Sequence, residues 1–445
     1  MNTVKFGIAR RNINPQVPVS LAGYFNIRMW KSVSDDLEVR VLSLEQNGTA
    51  AFIIQYDLIT VSDELYQGAL AAFKDAGFSA IRPDNLIMTA THTHTGPEVR
   101  SNRNGSASEY LPYVIAQTVE AVREAMSTMT DGTLSRGITS DARFIFNRRY
   151  WMKNGTVVTN PGKLNPNIRT SEGDIDPEIP ILAISQAGKI KVLLLNIVNH
   201  TDTIGGNSVS ADWAGFTVRT LQAELGAGSV VMPLIGCSGN INHFDVSTNM
   251  VQTHYPEAER IGKGYAETVS KALPSLQAFS ADLKTFGKSI PVDRRRLSRQ
   301  EIADAQAVMD KYPEIEVVGV SGADLTSEDL ARQTPFALKY FAYNLLSMRE
   351  STEPFNITLT GISFGEAVIA SLPGEPFVEI GLALRKDIFH GKLAFAVSHG
   401  NGGSSGYIPN PWNYGRGGYE TTPRSNPFDT MAASKLLNVW REIIR

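Results

Sequence analysis

The sequence predicts an α/β protein over 1–445, with mixed, largely antiparallel sheets sandwiched between outer helices in an αββα-like single large domain. Three observations carry the prediction. Apolar or alternating runs recur along the chain and are joined by tight turn signals. Helical stretches with their own start and stop residues fall between them. No Pro/Gly/Ser-rich linker divides the chain and no clear repeat is visible, so hairpins mixed with helices argue for one body and against an eight-fold barrel.

The elements follow in order. Asp36–Glu45, "DLEVRVLSLE", alternates apolar and polar, and Asn47–Gly48 turns it into "TAAFIIQYD", a hairpin. A helix runs from the N-cap Ser62 to the stop at Gly77. Asn85–Ala90 reads as a buried strand opening into "THTHTGP", with the helix "SEYLPYVIAQTVEAVREAMS" beyond it. "PILAISQ" and "KIKVLLLNIVNH" flank Ala187–Gly188–Lys189 as a second hairpin that ends at His200. Helix "WAGFTVRTLQAELGAG", strand "SVVMPLIG" and helix "PEAERIGKGYAETVSKAL" repeat the rhythm. From about 298 to 350 the pattern is helical and charged, and is read as an insertion or cap. Strands return in "FNITLTGISF" and "EAVIASLPGE", and the helix "TMAASKLLNVWREII" closes the chain.

Composition narrows the function. The chain is 42 % hydrophobic and 20 % charged, the profile of a packed globule, and its formal charge of -3 recommends neither nucleic acid nor an anionic membrane as partner. A small-molecule substrate is expected, and nothing in the sequence speaks to an oligomer. The single cysteine, Cys237, excludes a disulfide framework and any multi-cysteine metal site, so a metal would take His, Asp, Glu or Tyr ligands. The start lacks the apolar core of a secretory signal, and no window reaches the roughly 20 apolar residues of a membrane helix. A cytoplasmic location is expected, and a trimmed start would hide an export signal.

Only seven histidines are present, yet His92 and His94 stand one residue apart at the mouth of a strand. On a strand, residues i and i+2 face one way, so both point into one space, a common opening for a divalent metal site. The plainer reading is a pair of surface histidines. Thr95–Gly96 stands where metallo-β-lactamase-like enzymes place Asp-His, and a hairpin and helix precede the motif, unlike the first-strand position in amidohydrolase barrels. His200 ends another apolar strand, and Asp212 is either its orienting partner or a helix N-cap. In "GCSGNIN", Gly236 and Gly239 would let a backbone approach a ligand, while Asn240 replaces the second glycine of a nucleophile elbow. Polar contact with substrate suits Ser238 and Asn240 better than nucleophilic attack. Glu375 ends a strand in "LPGEPF" as a metal ligand, a base or a helix cap, and the Gly-rich loop after His399 carries Tyr407, Tyr414 and Tyr419.

Taken together, these segments resemble the catalytic N-terminal domain of the neutral/alkaline (non-lysosomal) ceramidase family. "TATHTHTGP" is close to the family's Ala-Thr-His-Thr-His-Ser-Gly-Pro, and "GIARRNINP…LAGY" resembles its opening Gly-Arg-Ala-Asp-Ile-Thr-x-Pro…Gly-Tyr. "FNRRY", "NHTDT…VSADWAGF", "GCSGNIN" and "LPGEPF" resemble its Ile-Asn-Arg-Ser, His-Gly-Thr…Ser-Gly-Asp, Gly-Asp-Val-Ser-Pro-Asn and Pro-Gly-Glu-Phe-Thr. Tyr407, Tyr414 and Tyr419 match its Tyr-x6-Tyr-x4-Tyr. The resemblance implies a zinc hydrolase, with His92, His200, Glu375 and Tyr407 as zinc ligands. It places His94, Arg148, Tyr419 and Ser238 around the scissile carbonyl. Zinc lowers the pKa of bound water to about 7, His94 suits the proton transfers, and Arg148 and Tyr419 suit a developing oxyanion. The family's C-terminal immunoglobulin-like domain is not expected before the chain stops at Arg445. The expected reaction is hydrolysis of an amide (N-acyl) bond or a related ester or lactone. Two other readings are a carbohydrate-type binding protein without turnover and a metal-independent serine hydrolase acting through Ser238.

Overall fold

The computed structural model describes residues 2–24, 27–101, 107–226, 228–318 and 333–444. The larger sheet contains β1 (Val4–Asn12), β2 (Glu38–Gln46), β3 (Thr49–Tyr56), β4 (Leu86–Ala90), β5 (Thr130–Ser140), β6 (Glu178–Gln186), β7 (Lys189–Ile197), β8 (Val230–Ile235) and β9 (Gln277–Phe279). Its order is β8–β7–β6–β5–β1–β2–β3–β4, with β9 paired to β5. The smaller sheet runs in order through β10 (Lys284–Val292), β11 (Phe355–Ser363), β12 (Ala367–Ser371) and β13 (Leu393–Val397).

Both predicted hairpins form. Asn47 and Gly48 take φ of 50° and 80°, and Ala187 and Gly188 take 49° and 76°, the left-handed pairs that fit the twist of two-residue hairpins. The described helices are α1 (Asp63–Asp75), α2 (Ala107–Ser127), α3 (Asp212–Leu225), α4 (Tyr255–Ala272), α5 (Arg299–Lys311), α6 (Pro335–Ser347), α7 (Val378–Ala383) and α8 (Ala432–Ile443). The Ser62 hydroxyl accepts from Leu65 N–H, capping α1 as the sequence predicts.

Strand alternation sorts the core into layers. On β7, Leu193 and Leu195 face α3 and α4, while Val192 and Leu194 face the smaller sheet and pack with Ile362, Phe364, Ile369 and Phe395. Residues of α1 and α2 cover the other half of the large sheet through Tyr56, Phe73, Tyr110 and Val122. The outer face of the smaller sheet packs on α7 and α8 through Leu359, Ile380, Leu436 and Trp440. The result is helices, sheet, sheet, helices, the expected αββα sandwich. Helices α5 and α6 pack on each other in the connection between β10 and β11. Within the helical stretch expected near 298–350, residues 319–332 lie outside the described residues, as do 102–106 in the loop after the two histidines.

The sequence shows no clear repeat, yet the strand topology repeats. One unit occurs three times: a strand, an antiparallel hairpin, a helix, a strand parallel to the hairpin's second arm, and a helix. The first copy is β1, β2–β3, α1, β4, α2. The second is β5, β6–β7, α3, β8, α4. The third is β10, β11–β12, α7, β13, α8. The repetition lies in strand order and direction, which set no residue identity, so the sequence hides it. In each copy the third and fourth strands are parallel, so their C-terminal ends open side by side, where α/β folds place ligands.

Candidate metal centre

Those strand ends carry the candidate residues. In the first unit β4 ends at Ala90 and His92 and His94 follow; in the second, β7 ends before His200 and β8 before Ser238; in the third, β12 ends before Glu375 and β13 before His399. His92 and His94 do meet, with ring centroids 4.9 Å apart at 86°, but not by strand alternation. Neither lies on β4. His92 adopts φ 62°, a left-handed conformation rare for a side chain with a Cβ, and this turn swings the chain so that both rings enter one space.

The buried His92 ring is fixed by its Nδ1, 2.7 Å from the Ile59 carbonyl, so Nδ1 carries the proton and Nε2 presents a lone pair. His200 is held the same way, with Nδ1 3.3 Å from the Ser238 carbonyl. The Nε2 of His92 then lies 3.1 Å from that of His200 and 3.3 Å from that of His94. The Glu375 Oε2 lies 3.5 Å from His92 Nε2 and 3.8 Å from His200 Nε2. Two tetrahedral ligands of zinc, each at about 2.05 Å, stand roughly 3.3 Å apart, which these spacings bracket. The three imidazoles form a group able to hold a metal ion. Glu375 Oε2 is buried without a hydrogen-bond partner, an orphan whose desolvation a cation would offset.

Charge distribution agrees. Burial, and then neighbouring His92, push His94 down to about 3 and His200 well below the ordinary imidazole value. Both rings are therefore neutral at pH 7, the form that ligates metal. Burial alone would raise the Glu375 carboxyl, but His92 and the Arg148 guanidinium hold it below the usual carboxylate range.

Glu375 is positioned by backbone geometry. Glu375–Pro376 pairs in parallel with Tyr407–Ile408, which brings Tyr407 beside the carboxylate. The Tyr407 hydroxyl is 2.7 Å from that of Tyr419, and the buried Arg148 guanidinium lies 5.2 and 5.4 Å from the two ring centres. Burial, and then the Glu375 charge, raise the Tyr407 phenol well above its usual value. Tyr414 is not part of this group, since its hydroxyl bonds the Asn426 side chain.

Several expectations need correction. Gly239 serves backbone packing: a Cβ there would stand 2.3 Å from the Glu375 carbonyl oxygen, and its N–H donates to Pro376 O at 2.9 Å. A Cβ at Gly236 would likewise fall 2.6 Å from the Val198 side chain. The Asn240 side chain is committed to the start of α7, where its Oδ1 accepts from Val378 N–H at 2.8 Å. Asp212 accepts from Ile204 and Trp213 N–H at 2.8 and 2.6 Å, and it is Trp213 Nε1–H that donates to the His200 carbonyl at 2.8 Å. Asp212 thus organises a turn and does not orient the imidazole. Ser238 meets His200 through its carbonyl, and among the described residues no hydrogen bond joins its hydroxyl to an imidazole, as a serine nucleophile requires.

Sequence reasoning missed His399. It is buried, has φ 57°, and stacks on His92 with centroids 4.0 Å apart at 17°. The rule that selected His200, a histidine at the end of an apolar strand, would have selected it. Also missed was an apolar groove of about 910 Å³ lined by Val308 of α5, Leu338, Phe341 and Leu345 of α6, and Tyr419 of the tyrosine loop.

The architecture and site therefore define a four-layer α/β protein with a buried imidazole–carboxylate centre at converging strand ends. The fold is that of the neutral ceramidases. The chain superposes on a ceramidase complexed with C2 with a TM-score of 0.75 and 15 % identity, covering 100 % of this chain and 75 % of that one. It also superposes on neutral ceramidase from Pseudomonas aeruginosa with a TM-score of 0.72 and 14 % identity, covering 100 % and 74 %. No family model and no curated protein sequence matches the chain. No helix among the described residues is long and apolar enough to cross a membrane.

Proposed function

We propose that the protein is a zinc-dependent hydrolase of an amide (N-acyl) bond, or a related ester or lactone bond, in a small-molecule substrate. The single observation that carries the reading is the convergence of the His92 and His200 Nε2 atoms on the orphaned Glu375 Oε2, three donors drawn from three repeats of the fold. These residues would hold the ion, with Tyr407 beside them through its pairing with Glu375. When bound, zinc supplies Lewis acidity and acidifies a water molecule.

The protein's own groups divide the remaining work. His94 Nε2, neutral and 3.3 Å from His92 Nε2, is placed to take a proton and return it to the departing nitrogen or oxygen. Arg148 and the Tyr419 hydroxyl are donors for the negative charge that develops on the carbonyl oxygen, an interaction worth about 3–4 kcal/mol per donor. Ser238, whose carbonyl meets His200 Nδ1, is assigned as a polar contact to the substrate. The groove beside Tyr419 gives an apolar arm of the substrate a place to lie, which favours an N-acyl amide over a sugar derivative.

The test combines elemental analysis with an activity screen over N-acyl amides, esters and lactones. About one zinc per chain is expected, with turnover abolished by a chelator and restored by zinc. Undiminished turnover by metal-free protein would end the proposal.

A further inference from the structure

Arg148 reaches the site already bound on two edges. Its Nε–H donates to Glu420 Oε1 at 3.0 Å and its Nη2 to the Gly239 carbonyl at 2.7 Å. The guanidinium also has a side-chain interaction with Tyr407. The second oxygen of Glu420 accepts from Arg149 Nη1 at 2.8 Å and from the Thr159 hydroxyl at 2.6 Å. Arg149 in turn bonds Glu172 and donates to the Gly417 carbonyl at 2.8 Å. Glu420 is therefore a fully buried carboxylate between two buried guanidinium groups, and it directly follows Tyr419 in the chain.

Such a cluster needs a reason other than stability. Taking several charges out of water costs as much as their attraction returns, and apolar residues of equal volume commonly stabilise as well or better. What a two-oxygen bridge does supply is direction. One carboxylate fixes the approach of Arg148 and seats the tyrosine loop on the hairpin that carries Arg149 and Thr159. The loop is shaped for that seat: a Cβ at Gly418 would fall 2.0 Å from Arg149 Nη1, and one at Gly417 would fall 2.4 Å from the Val157 carbonyl oxygen.

We propose that Glu420 is a positioning residue that locks Arg148 and Tyr419 into one oxyanion-binding unit by bridging Arg148 to Arg149. The inference rests on the hydrolase reading above for its chemistry, but the structural coupling it asserts does not depend on turnover.

The experiment uses Glu420→Gln in the full chain. Hydrogen exchange is followed by mass spectrometry, and steady-state kinetics are measured with p-nitrophenyl acetate and N-octanoyl-p-nitroanilide. Peptides spanning 411–421 are expected to exchange at least about tenfold faster, while those covering His92 and His200 keep their wild-type rates and zinc content is unchanged. Turnover is expected to fall about 100-fold in kcat with KM within about twofold, the loss typical of a group displaced by roughly 1 Å. In an Arg148→Lys background the same substitution should cost far less, because it acts through Arg148. Wild-type exchange over 411–421, or faster exchange spread evenly over the chain, overturns the proposal. Should Glu420→Gln not fold, Thr159→Val removes one hydrogen bond to the same carboxylate without stranding a charge. It should speed exchange over 411–421 about threefold, and no change there overturns the proposal equally. If neither probe is turned over by wild-type protein, only the hydrolase reading is damaged, and the exchange result still decides the role of Glu420.

Discussion

At the scale of residues, the proton-transfer role assigned to His94 is separable from a ligand role by one variant. Its Nε2 is close enough to His92 to serve as a third nitrogen ligand, and equally placed to move protons beside an ion held by His92, His200 and Glu375. The roles differ in the number of protein ligands, since a catalytic zinc keeps a position for water. His94→Ala is expected to retain zinc in equilibrium dialysis and to lose about 10²- to 10⁴-fold in turnover, the usual worth of a general acid–base. Loss of the metal together with activity would make His94 a ligand. Both histidines were legible in the sequence because His-x-His is rare in so histidine-poor a chain. The left-handed turn at His92 was not, because nothing in a histidine side chain announces a positive φ.

At the scale of elements, short backbone ladders aim the carboxylate. The two-residue ladder Glu375–Pro376 with Tyr407–Ile408 is locked from behind by Gly239, whose N–H reaches Pro376 O at 2.9 Å. Gly239→Ala would put a methyl group against backbone that cannot swing aside, a strain of about 1–3 kcal/mol. The expected outcome is folded protein with zinc affinity reduced at least about tenfold in a chelator competition, because the displaced atom belongs to Glu375 itself. Unchanged affinity would show that the ladder does not aim the ligand. Element boundaries were largely readable: Asn47–Gly48, Ala187–Gly188 and the Ser62 cap are local signals with local effects. The ladder was not readable, since its two strands lie on either side of α7 and β13 and neither has a periodic pattern.

At the scale of the whole molecule, one ion would join all three repeats. His92 belongs to the first, His200 to the second and Glu375 to the third, and the third lies in a different sheet from the other two. An ion that binds only the folded arrangement stabilises it by about 4 kcal/mol when present at a thousandfold its Kd. Zinc is therefore expected to raise the Tm by several degrees, and EDTA to reverse the gain. A Tm indifferent to zinc would mean that the imidazoles and the carboxylate do not share an ion.

The sequence by itself determined the layered α/β class, the hairpins and the candidates His92, His94, His200 and Glu375, because periodicity, turn chemistry and rare residue types are written within a few neighbouring positions. Tertiary structure alone decided that three units repeat, that Glu375 faces His92 and His200, that His399 stacks behind them, and that Ser238 meets His200 through its carbonyl. Those facts depend on strand order, backbone approach and φ at single residues, which arise from contacts across hundreds of positions and leave no local pattern to read.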